Sequence, residues 1–189
     1  AREALLGLRG DFKENILGIL RSRPFAEKRS ALQMALESDR LSDEQKGQVA
    51  EAALETALRS SSADAPGKAV LREIRVASAR ALGERRWSQA TALLIAHLDA
   101  TIGEYDKGLA DRRSLIEATA ALGATATHEA AVRLTQYLLL VNSYTEKSKG
   151  YDEQVVLAIV DALGQLGDRV AFEDLMYTQY LGYPAAVKK

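Results

Sequence analysis

Apolar residues recur at three- and four-residue intervals along most of the chain, the spacing of a helix that buries one face. Val70, Ile74, Ala77 and Ala81 form one such stripe, and Val155, Ile159, Ala162 and Leu166 form another. Polar residues fall where helices would begin. Ser42 stands three residues before Gln45, the pattern of a capping box; Ser88, Thr127 and Asp168 precede further apolar runs and suit N-caps. Pro24 suits the first turn of another helix. Ser60 to Gly67 gathers Ser, Ala, Asp, Pro and Gly and reads as a loop. Period-two runs of β-branched and aromatic residues are missing, so the chain is predicted to be all-α.

The stripes repeat. Ala81-Leu82-Gly83, Ala121-Leu122-Gly123 and Ala162-Leu163-Gly164 place their leucines 40 and 41 residues apart. Eight residues after each leucine comes alanine (Ala90, Ala130, Ala171), and twelve after it comes leucine (Leu94, Leu134, Leu175). Each copy reads as two helices, with Gly83, Gly123 and Gly164 near the end of the first, where a left-handed residue commonly closes the last turn. Looser copies lie upstream at Ala35-Leu36, preceded by Arg29, and at Leu5-Leu6-Gly7. The predicted pairs span roughly residues 24–60, 65–106, 111–145 and 151–181, with a partial pair over 1–22 and a further helix starting at 184. They form one array over 1–189. One pair alone cannot bury two apolar faces, so neighbours must stack. The opening Ala1-Arg2-Glu3-Ala4-Leu5-Leu6 resembles mid-helix, which leads us to expect a fragment of a longer array.

The string from Arg75 to Gly83, followed by Ala90 and Leu94, resembles the HEAT repeat, in particular the short bacterial kind called PBS-lyase HEAT-like repeats. Ala162-Leu163-Gly164-Gln165-Leu166-Gly167-Asp168 is similar to that family's inter-helix turn. The resemblance runs from about Gly67 to Leu181. Leu115 and Val156 depart from it, replacing the arginine that Arg75 represents, and the loops near residues 105 and 147 are longer than the minimal repeat. The resemblance implies a right-handed α-solenoid of about four to five helix pairs, of the armadillo type, and a role in binding or scaffolding. It names no partner and implies no lyase activity, because fold does not fix function.

Composition adds mainly exclusions. The net charge is −1, so no overall field favours nucleic acid or acidic membranes. Cysteine is absent, which removes disulfides and thiolate metal sites without choosing between cytoplasm and periplasm. No apolar stretch approaches the roughly 20 residues of a membrane span. The two histidines, His97 and His128, lack metal-ligand spacing and read as structural. No phosphate-binding glycine loop is present. We expect no catalytic residue, cofactor or metal, and a soluble, non-enzymatic scaffold.

Two features remain. All seven tyrosines follow residue 100. Tyr105 and Tyr144 fall near the ends of second helices, each followed by a loop carrying lysine: Lys107 in one, Lys147 and Lys149 in the other, which runs on to Tyr151. With Tyr137, and with Tyr177 and Tyr180 in the last copy, these residues are the candidate partner-binding set, expected to line one edge as a ladder. Tyrosine suits interfaces because it offers area with a polar tip; capping of the core ends would explain single rings equally. The second feature is basic. Lys68, Arg72, Arg75, Arg80, Arg85 and Arg86, with Arg112-Arg113 one repeat further on, could suit nucleic acid, as in HEAT-like DNA-repair glycosylases. Their expected place on first helices favours a solvated face instead. A protein partner is therefore the leading expectation, nucleic acid or a purely structural spacer the alternatives.

Overall fold

The computed structural model describes residues 11–147, 149 and 151–188. The predicted helix end at Leu5-Leu6-Gly7 and the opening Ala1–Leu6 segment lie outside the described residues. Among these the protein is all-helical, with nine α-helices and no strand: α1 (Phe12–Ser22), α2 (Phe25–Glu37), α3 (Asp43–Arg59), α4 (Ala65–Glu84), α5 (Thr91–Tyr105), α6 (Arg112–Gly123), α7 (His128–Glu146), α8 (Glu153–Leu166) and α9 (Phe172–Thr178). They divide into two compact units, Ala1–Arg85 and Arg86–Lys189.

In the first unit α1 packs on α2 and α3, and α2 packs on α3 and α4. Ile16, Leu20, Leu32, Val49, Ala53, Leu71 and Ile74 make a continuous core, almost fully buried. Alanines between the larger residues (Ala31, Ala35, Ala57) let the helix axes approach. Ser42 caps α3 as its sequence predicts, accepting from the Gln45 amide at 3.2 Å while Gln45 Oε1 accepts from the Ser42 amide at 3.0 Å. The loop before α4 is shorter than the composition suggests. Asp64 caps the helix by accepting from the Gly67 amide at 2.9 Å, so Pro66 and Gly67 already lie in the first turn.

The second unit repeats the scheme. First helices pack on first helices (α6 on α8), second helices on second helices (α5 on α7, α7 on α9), and α5, α6 and α7 each also pack on the helix that follows. Leu94, Leu98, Leu115, Leu122, Leu134, Leu138 and Ile159 are wholly buried. Each contributes about 1.5–3 kcal/mol by leaving water. Arg75, Leu115 and Val156 occupy one register position in their copies, and all three are buried. The departure from arginine therefore follows from a core-facing site at which an apolar side chain serves as well as an arginine stem.

The turns between helices correct two expectations. Gly83, Gly123 and Gly164 are helical. The left-handed residue comes three positions later in each copy, at Arg86 (φ 49°), Ala126 (φ 55°) and Gly167 (φ 62°). Ser88 does not cap an α-helix either. Trp87 fills the position that Thr127 and Asp168 hold as caps, and its side chain accepts no hydrogen bond there. Ser88–Ala90 forms a 3₁₀ turn before α5, and Arg169–Ala171 forms the equivalent turn before α9. At the other end, residues 185–188 make one turn, closed by the Val187 amide on the Pro184 carbonyl at 3.0 Å, where a helix start was expected.

Candidate functional site

The aromatic residues converge in the second unit. Tyr105 ends α5, Tyr137 and Tyr144 lie seven residues apart on α7, and Tyr151 stands just before α8. Tyr151 is the hub. Its ring centroid is 6.1 Å from Tyr144 in a near-parallel stack, 6.2 Å from Tyr137 edge to face, and 6.4 Å from Tyr105. Such ring pairs are worth about 0.5–1.5 kcal/mol beyond area burial. The expected ladder along an edge is thus a single knot, made because the loop after α7 returns Tyr151 across the ends of α5 and α7. The Lys149 amide bonds the Tyr144 carbonyl at 2.9 Å and holds that return.

Position within the knot decides what each ring can offer. Tyr137 is fully buried, and its hydroxyl is hydrogen-bonded to that of Tyr151. Burial, with that bond, pushes the Tyr137 phenol far above the usual tyrosine range, and burial pushes Tyr151 up to about 12. Tyr137 is a core residue, with no surface to present. Tyr105, Tyr144 and Tyr151 are half-buried, with edges in water, and Lys107, Lys147 and Lys149 are exposed on the loops around them.

Tyr177 and Tyr180 lie elsewhere in the unit, at α9. The Tyr177 hydroxyl donates to the Glu146 carboxylate, which raises its pKa by hydrogen bonding to the neutral phenol. Tyr180 is 79% exposed. Tyr183, which the sequence did not single out, is 8% exposed and sits on α7. Its hydroxyl donates to Asn142 Oδ1 and accepts from Thr145 Oγ1, both at 3.0 Å. Only an internal tyrosine count pointed to it.

The basic run does not make one exposed face. Arg75 is buried at 8% exposure. Arg85 is committed to the Ala81 carbonyl at 2.9 Å and to Asp43 at 3.3 Å. Glu73, within the run, holds Arg29. Further on, Arg112 lies 3.4 Å from Asp152, and Arg113 bonds Glu117 at 2.9 Å. The Arg29–Glu73, Arg85–Asp43 and Arg112–Asp152 pairs join different helices, whereas Arg113–Glu117 lies within α6.

The histidines have structural places. His97 is buried in α5. His128, at the start of α7, sets Nδ1 2.7 Å from Asp168 Oδ2, forty residues on. Hydrogen bonding and charge from Asp168 raise the imidazole pKa, while the Val170 amide first and His128 second lower that of Asp168. Among the described residues no cluster of His, Cys, Asp and Glu is placed to hold a metal ion, and no helix is long and apolar enough to cross a membrane.

Residues 74–100 match the family model of the PBS lyase HEAT-like repeat. The match covers the end of α4, the left-handed turn at Arg86 and most of α5, the copy built around Leu82. No curated protein and no solved structure matches the chain.

Proposed function

We propose that the protein is a non-catalytic scaffold of HEAT-like helix pairs that binds another protein, with the half-buried rims of Tyr105, Tyr144 and Tyr151 and the surrounding Lys107, Lys147 and Lys149 as the contact. The pairs are those over residues 24–60, 65–106, 111–145 and 151–181. HEAT-like repeats commonly serve as interaction scaffolds, which supports the general role. The observation that carries the site is the convergence of Tyr105 and Tyr144 on Tyr151, all three half-buried with an edge in water. Rigid rings held by one another lose little entropy on binding, and their hydroxyls can pair with a partner's polar groups. The ion-paired arginines weaken the nucleic-acid reading. Affinity capture with wild-type protein, and with Tyr105→Ala, Tyr144→Ala and Lys147→Glu combined, tests the assignment. The variant is expected to lose the captured protein while its helical circular dichroism is unchanged. Equal capture by both would remove this surface from consideration.

A further inference from the structure

The tyrosine knot draws two loops together, and the charges those loops carry are unequal. Tyr105 ends α5 ahead of the loop over 106–111, and Tyr144 lies near the end of α7 ahead of the loop over 147–152. Both rings meet Tyr151, at 6.4 and 6.1 Å between centroids. Lys107 of one loop and Lys147 and Lys149 of the other thereby border one aromatic surface. All three lysines are exposed, and among the described residues none is ion-paired. The arginines nearby are committed by contrast: Arg112 to Asp152, Arg113 to Glu117 and Arg133 to Asp99.

The carboxylates of the same loops are mostly taken. Asp111 caps α6, accepting from the Ser114 amide at 2.8 Å and its hydroxyl at 2.7 Å. Asp152 caps α8, accepting from the Gln154 amide at 3.0 Å, and also holds Arg112. Glu146, at the end of α7, accepts from the Tyr177 hydroxyl. Of the carboxylates on the two loops, that leaves Asp106 to oppose three ammonium groups. The phenols add donors. Among the described residues the hydroxyls of Tyr105 and Tyr144 bond to no partner. Burial first, and the Asp152 charge second, raise the Tyr105 pKa and keep that phenol protonated.

Building on the tyrosine-rim reading, we propose that this surface binds an acidic protein segment. Its Asp or Glu carboxylates take the three ammonium groups and the two phenolic hydroxyls, while its carbon chain lies on the rings. An ionised carboxylate only accepts hydrogen bonds, which matches a rim that offers mainly donors. Complementary charge of this kind speeds encounter and fixes register. Nucleic acid fits less well. A long polyanion is held by an extended field and many phosphate contacts, whereas this chain has a net charge of −1 and the nearby arginines are paired.

The probe is a labelled peptide of alternating glutamate and serine, about ten residues long and about 30 Å when extended. A second peptide with glutamine for glutamate is its uncharged counterpart. In fluorescence anisotropy with the whole 189-residue protein, the glutamate peptide is expected to bind about tenfold or more tightly than the glutamine peptide. That advantage should shrink as added salt screens the charges. Lys107→Glu, Lys147→Glu and Lys149→Glu combined should weaken glutamate-peptide binding about tenfold or more, with helical circular dichroism unchanged. Arg21→Glu, Arg23→Glu and Lys68→Glu combined alter exposed residues of the first unit, change the net charge equally and should leave binding as it was. Equal binding of the two peptides, or equal losses in the two triple variants, would overturn the acidic partner. Either result would leave the tyrosine rim itself standing, since capture by the tyrosine variant tests that separately. A thymidine oligonucleotide of similar length, bound more tightly than the glutamate peptide and released by the lysine variant, would assign the rim to nucleic acid and overturn the proposal equally.

Discussion

At the scale of single residues, the turn in each of the three Ala-Leu-Gly copies asks for a left-handed backbone at one position, and the chain answers with three different residues. Gly167 adopts φ 62° without a Cβ to resist it. Arg86 and Ala126 adopt φ 49° and 55° against a steric cost of about 1–2 kcal/mol for an L-residue. Replacing Ala126 by Gly should therefore raise stability by about 0.5–1 kcal/mol, the left-handed strain relieved less the extra chain entropy glycine brings to the unfolded state. Gly167→Ala should lower it by a similar amount, with urea unfolding as the measurement for both. This position was hidden in the sequence because two of its three occupants are not glycine. The more visible glycines, Gly83, Gly123 and Gly164, drew attention to the wrong place in the turn.

At the scale of elements, those visible glycines have a different purpose, and neighbours decide it. Gly123 lies under Ala162, so Gly123→Ala forces α6 and α8 apart and should cost about 1–3 kcal/mol, as overpacking does. Gly164→Ala, at the same register with open space above it, should stabilise α8 by roughly 0.5–1 kcal/mol through lost glycine entropy. Thermal or urea unfolding of the two variants would report opposite signs. The helices around the Ala-Leu-Gly copies were legible from that spacing because burial repeats with that period. Ion pairs that join copies, Arg112 with Asp152 and His128 with Asp168, follow the same forty-residue spacing and could have been sought from it. The tyrosine knot was legible only in part. Tyr105 and Tyr144 stand at matching places, but Tyr151 reaches them through a loop whose path no periodicity encodes.

At the scale of the whole molecule, each unit is held by contacts between first and second neighbours along the chain. Its stability is then close to a sum of helix-pair and joint terms, as in repeat proteins generally. The surface proposed for binding is the rim of the tyrosine knot. That rim depends on α5 packing beside α7. Thr91 and Thr127 bring their hydroxyl oxygens within 3.3 Å across α5 and α7, and the chain has no cysteine of its own. The double variant Thr91→Cys, Thr127→Cys should thus close an intrachain disulfide under mild oxidation, seen as a faster-migrating monomer in non-reducing electrophoresis. A variant that stays fully reduced, or joins only between molecules, would contradict the packing of α5 on α7 from which the rim follows.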